Sequence, residues 1–201
     1  MASKKTKTYL AFVLDESGSM SVCRQATING YNEYLVTLRN QDGVESIKAS
    51  LTKFNTEFNQ VYADIELKDV PDLTLDTYQP DGFTALYDAI AHTLLALDEV
   101  VKKKDRVLCA ILTDGAENSS KEYTHQQIFD MIKEREQKGN WTFVYIGANQ
   151  DAYAVGMSMG VPMANNLNFN VDDTEETYRS FAKATSSYVV SKESRSSSFW
   201  K

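Results

Sequence analysis

Three short stretches carry residues that together could hold a divalent cation. They are Asp15-Glu-Ser17-Gly-Ser19-Met, Asp81-Gly-Phe-Thr84-Ala-Leu and Thr113-Asp114-Gly115. Asp15, Ser17, Ser19, Thr84 and Asp114 supply two carboxylates and three hydroxyls, with no thiolate or imidazole among them. Such hard oxygen donors suit Mg²⁺, with Mn²⁺ as the alternative, rather than zinc. Ser17 and Ser19 are two positions apart, so both hydroxyls can face one point in an extended turn. Gly18 lets the chain bend between them without a Cβ clash. Neutral hydroxyls and only two carboxylates leave the ion electrophilic. Mg²⁺ takes octahedral coordination at about 2.1 Å and often keeps waters, so a partner's carboxylate can complete its shell. Taken singly, each of these residues reads as a helix cap or turn former; their placement together carries the argument.

That placement depends on the elements around them. Residues 9–14, 107–112 and 141–146 are continuous apolar runs, as expected of parallel strands covered on both faces. The first leads directly into Asp15 and the second into Thr113-Asp114. Residues 47–51 alternate and read as a half-buried strand. Residues 58–65 carry mixed polar residues, as an antiparallel edge strand would, and 166–171 suggest a short late strand. Helical spacings of three and four link Ile28, Tyr31, Leu35 and Leu38, and also Leu86, Ile90, Leu94, Leu97 and Val101. Ile128 and Ile132 mark a third helix, and Tyr178, Phe181, Thr185, Tyr188 and Val189 a C-terminal one. Asp172, Asp173 or Thr174 is expected to cap that last helix, with Glu175 and Glu176 favouring its positive end. Alternating strands and helices predict an α/β doubly wound, mostly parallel sheet with one antiparallel edge. Its ligands belong beyond the C-terminal ends of the strands, where the three stretches lie.

The pattern Asp15-x-Ser17-x-Ser19, then Thr84, then Asp114 resembles the metal-ion-dependent adhesion site (MIDAS) of von Willebrand factor A-type (VWA) domains. The surrounding Phe-Val-Leu-Asp-Glu-Ser-Gly-Ser-Met, Gly-Phe-Thr-Ala-Leu-Tyr-Asp-Ala-Ile and Ile-Leu-Thr-Asp-Gly strengthen the resemblance, which spans residues 8–190. It looks most like the compact intracellular members of bacteria and phages. The resemblance implies a Rossmann-like VWA fold, with Ser17 and Ser19 as direct ligands and Thr84 bound directly or through water. Asp15 and Asp114 would act largely through water. Phe83 stands where a small residue is common, and Glu16, Asp81, Glu117, Asn118 and Asn149 are expected at the rim. Asp88 reads as a polar helix residue.

Other signals fail. Gly156-Met-Ser158-Met-Gly160 matches the G-x-S-x-G nucleophile elbow, but no strand directly precedes it, and His92 and His125 both come earlier in the chain. An aspartyl phosphatase would need a second acid where Ser17 stands. Cys109 reads as core, and Cys23 as a packed or exposed thiol rather than a reactive one. The cluster Lys102-Lys103-Lys104 with Arg106 fits a solvated helix end. No phosphate-binding loop ending in Lys-Ser/Thr occurs.

Composition bounds what remains. The 201 residues suit one domain, read as an N-terminal extension (1–7), the domain (8–190) and a loosely ordered serine-rich tail (191–201) in which Phe199 and Trp200 could dock. Twenty-one Lys and Arg against 28 Asp and Glu give a net charge of −7, which argues against nucleic-acid binding. No run approaches the ~20 apolar residues of a membrane span, and the apolar run near the start is too short for a signal peptide. Two cysteines make no disulfide scaffold, so a reducing cytoplasm is expected. The first expectation is therefore a non-enzymatic module that binds an Asp or Glu of a protein partner through Mg²⁺. The alternatives are a metal-assisted phosphoester hydrolase, or a scaffold or regulatory subunit, for example beside an ATPase or in a stress response, with a structural ion.

Overall fold

The computed structural model describes residues 6–41, 46–148, 151–191 and 193–200. In chain order the elements are β1 (Thr8–Asp15), α1 (Arg24–Arg39), β2 (Ile47–Phe54), β3 (Phe58–Glu66), α2 (Leu86–Val100) and β4 (Arg106–Thr113). They continue as α3 (His125–Gln137), β5 (Trp141–Ala148), α4 (Ala152–Ser158), β6 (Asn166–Phe169) and α5 (Thr174–Val190). The strands form one six-stranded sheet in the order β3-β2-β1-β4-β5-β6. All neighbours are parallel except β2 and β3, so β3 is the antiparallel edge.

The apolar runs form central strands because each face of the sheet has its own core. In β1, Leu10, Phe12 and Leu14 point into a cluster with α1 and α5, built around Tyr31, Tyr34, Leu35 and Phe181. Tyr9, Ala11 and Val13 point the other way, among Leu86, Ile90 and Leu94 of α2 and Ile128 and Ile132 of α3. Phe12 makes edge contacts with Tyr31 and Tyr34, 5.2 and 5.0 Å between ring centroids, a geometry aromatic rings favour.

β2 departs from the half-buried expectation. Every residue but Lys48 is buried, because its alternation marks two covered faces rather than one wet face. Thr52 lies under helix α2, where the Thr93 hydroxyl donates to its Oγ1 at 2.7 Å, while the Nζ of Lys53 is paired with Glu16. In β3 the facing of side chains changes midway. Leu51 pairs with Tyr62 but Thr52 with Gln60, so Val61 is an extra, exposed residue at a bulge. Phe58 consequently packs towards α2 and Tyr62 towards α1, and a second shift between the Ala49–Ile65 and Leu51–Tyr62 pairs leaves Ile65 facing α1 as well.

Helix α4 has no counterpart in the sequence expectations; the Asp151 side chain caps it by accepting the Ala154 N–H at 3.0 Å. At α5 the N-cap is Asp173, but its side chain makes no capping bond; the Thr174 hydroxyl donates back to Val171 O at 2.6 Å instead. Residues 193–200 are not loose. Phe199 is buried against Phe181 and Tyr188, and its N–H donates to Asn165 Oδ1. The Ser196 N–H donates to Thr142 Oγ1, and Arg195 pairs with buried Glu136.

Candidate functional site

The sheet order reverses between β1 and β4. The chain builds outward through β2 on one side and through β5 on the other, so a crevice opens at the C-terminal ends of these two strands. Asp15 ends β1 there and is completely buried. Its Oδ1 accepts the Ser17 N–H at 2.7 Å, and its Oδ2 accepts the Thr113 hydroxyl at 2.5 Å, tying the ends of β1 and β4 together. Burial pushes its pKa up to about 6, against the opposing hydrogen bonds from Thr113 and Ser17. The Tyr78 hydroxyl donates to Asp15 O at 2.6 Å and fixes the backbone from below.

Ahead of Asp15 the hydroxyls form a chain. Ser19 Oγ donates to Asp114 Oδ1 at 2.6 Å, and Ser17 Oγ lies 3.2 Å from Ser19 Oγ. Each hydroxyl has one proton; Ser19 spends its proton on Asp114, so Ser17 donates to Ser19. Burial also raises the pKa of Asp114. Thr84 meets this chain at Gly115: a Cβ there would lie 3.4 Å from Thr84 Oγ1 and 3.5 Å from Ser19 Oγ. The side chains of Ser17, Ser19, Thr84 and Asp114 thus share one small space, with Asp15 one layer behind it.

The loops are locked to each other by their backbones. The Gly18 N–H donates to Gly82 O at 3.1 Å, and the Asp81 N–H to Glu16 O at 3.0 Å. Asn118 holds Thr84 from both sides, accepting the Thr84 N–H at Oδ1 and donating its own N–H to Thr84 O.

Most of the expected rim residues have structural duties instead. Glu16 is paired with Lys53 Nζ at 2.8 Å, both side chains being largely buried, and accepts the Gln79 N–H at 2.6 Å. Glu117 accepts the N–H groups of Tyr87, Ser119 and Ser120 and the Ser120 hydroxyl. Asp88 is buried and accepts the N–H groups of Lys121, Glu122 and Tyr123. Asp81 remains exposed at the rim, and Asn149 lies outside the described residues. Lys53, Tyr78 and Ser120 carry no signal in the sequence, and Thr113 shows there only as part of the Thr113-Asp114-Gly115 stretch, not as the partner of Asp15. Each acts on a residue distant in the chain or through its backbone, which no local spacing reveals.

Ser158 ends helix α4, and His125 Nε2 lies 3.0 Å from its Oγ. The Ser158 hydroxyl already donates to Val155 O at 2.8 Å, so the ring donates to it and cannot take its proton. Cys23 and Cys109 are unbridged and buried on opposite faces of the sheet. Burial raises both thiol pKa values, that of Cys109 to about 12. Among the described residues, no group of three or more His, Cys, Asp or Glu side chains is placed to hold a metal. The cluster at Gly115 has only two carboxylates, and its other donors are hydroxyls. No helix among those residues is long and apolar enough to cross a membrane.

These features define an α/β chain with a Rossmann-like VWA fold and a carboxylate-hydroxyl cluster at the switch point of its sheet. Solved structures share the fold. Proximal thread matrix protein 1 of the mussel byssus superposes with a TM-score of 0.67 at 11% identity, over 87% of this chain and 47% of its own. The pilus adhesin SpaC of Lactobacillus rhamnosus GG gives 0.70 at 14%, over 92% and 31%. The vWF domain of the pilus tip protein Mfa5 of Porphyromonas gingivalis gives 0.67 at 8%, over 95% and 99%. The chain therefore spans under half the length of the first two and nearly all of the third. The mussel protein has also been solved with a zinc-occupied MIDAS motif. The sequence matches no protein-family model and no curated protein.

Proposed function

We propose that this chain is a VWA-type domain in which Ser17, Ser19, Thr84, Asp114 and Asp15 form a MIDAS, and that it binds a protein partner through the cation held there. The observation that carries this reading is the hydrogen-bonded chain Ser17–Ser19–Asp114, closed by Thr84 across Gly115. The residues fit a divalent ion: every donor is a hard oxygen, and glycine leaves the space between two of the hydroxyls open. The donor chemistry favours Mg²⁺, with Mn²⁺ able to replace it. Ser17, Ser19 and Thr84 would hold the ion, while Asp114 and Asp15 would orient hydroxyls and waters around it. When bound, the ion supplies a site for an anionic ligand, here an Asp or Glu carboxylate of the partner. The module is non-enzymatic and cytoplasmic in this reading.

Thermal unfolding with Mg²⁺, Mn²⁺ and chelator tests the site. A ligand at a hundred times its Kd stabilises by about 2.7 kcal/mol, which for a domain of this size is a rise of roughly 5–10 °C. The rise should vanish in Asp114→Ala and in the Ser17→Ala/Ser19→Ala double variant. A wild-type melting point indifferent to both metals and to chelator would overturn the proposal.

A further inference from the structure

We infer that the partner's carboxylate comes with an apolar neighbour, and that Phe83 and Val22 are the residues that read it. The inference rests on the metal-dependent reading above and names the class of ligand: a lone Asp or Glu beside an aromatic or aliphatic side chain.

Phe83 directly precedes Thr84, yet 64% of it is exposed and it belongs to neither core cluster. Its backbone is nonetheless rigidly held. The Phe83 N–H donates to Thr56 Oγ1 at 3.0 Å. Gly82 before it adopts φ +73° and accepts Gly18 N–H, and Thr84 after it is clamped by Asn118. A large apolar side chain on a fixed backbone presents contact area to a partner at little entropic cost on binding. Val22 repeats the feature on the adjoining loop. It is 76% exposed on the turn Gly18–Cys23, whose Met20 and Cys23 point inward. The two loops touch through Gly18 and Gly82, so the two exposed apolar side chains stand on joined loops that also carry Ser17, Ser19 and Thr84. Charge favours the same ligand. The chain carries a net charge of −7, and Asp81 stands exposed at the rim, so a run of acidic residues would be repelled. A single carboxylate on the cation, with an apolar neighbour on Phe83 and Val22, would not.

The test uses soluble peptides of one length with a central Glu, flanked by serines throughout or with Leu or Phe at one adjacent position. Binding is followed by fluorescence anisotropy on the Mg²⁺-loaded protein. The Leu and Phe peptides should bind about tenfold tighter than the all-serine peptide, as burial of one apolar side chain allows. Chelator should abolish binding of all of them. In Phe83→Ser/Val22→Ser the advantage should fall below about twofold, while the metal-induced rise in melting temperature stays as in wild type, showing the fold and ion site intact. If metal-dependent binding occurs but the apolar advantage is absent, or survives in the double variant, the inference fails and the metal–carboxylate reading stands. If no peptide binds in a metal-dependent manner, the carboxylate reading fails and takes the inference with it.

Discussion

Gly115 is the residue on which the cluster's geometry turns. Its backbone is not in the left-handed region, so alanine is conformationally acceptable there. The added methyl would meet Thr84 Oγ1 and Ser19 Oγ at 3.4 and 3.5 Å, ordinary contact distances. Gly115→Ala should therefore fold normally, with a chelated melting temperature within about 3 °C of wild type. The methyl would occupy the space between two donors, however, and the metal-induced rise should disappear. A full metal response in this variant would mean that the ion does not sit between these hydroxyls. The five residues proposed for the site stand out in the sequence because each carries its own oxygen at a characteristic spacing. The residues that hold them do not. Lys53 lies 37 positions from Glu16, and Tyr78 acts through the backbone of Asp15, so neither has a local pattern to betray it; Asn118 shows in the sequence only as a rim residue, not as the clamp on Thr84.

At the scale of elements, legibility follows how far an element's neighbours impose a pattern on it. Strands β1, β4 and β5 are covered on both faces and must be continuously apolar, and α2 shows its period of three and four over four turns. Strand β2 departs from its pattern because alternation ordinarily marks one wet face, whereas Ser50 and Thr52 are buried under the second core. The bulge at Val61 is set by pairing with β2, and seven-residue α4 is too short to show a period. Packing can also reverse what propensity suggests. Gly30 lies inside α1, where alanine would ordinarily gain roughly 0.5–1 kcal/mol. A Cβ there would meet Tyr178 of α5 at 2.5 Å, with a fully buried ring as the obstacle. Gly30→Ala should thus cost about 1–3 kcal/mol through overpacking, measured as a lower denaturation midpoint with an unchanged slope. A gain in stability would show that α5 can shift freely away from α1.

At the scale of the whole molecule, the sheet separates two ends. The carboxylate-hydroxyl cluster occupies the C-terminal ends of β1 and β4. Residues 193–200 pack on α5 and bond to Thr142, near the start of β5. Serine-rich composition suggested a loose tail, since hydroxyls bury little apolar area. The signal that overrode it was the pair Phe199 and Trp200, whose rings contact Phe181 at 5.8 and 6.0 Å between centroids. Phe199 closes the core beside Tyr188, and its loss leaves a cavity that distant loops cannot fill. Phe199→Ala should cost about 3–5 kcal/mol, as for other large core truncations. Effects at well-separated sites add, so the metal-induced rise in melting temperature should remain at its wild-type size on this lower baseline. Loss of the metal response along with the stability would mean that the docked tail and the loops of the proposed cation site share one cooperative arrangement, carried between the ends by α5.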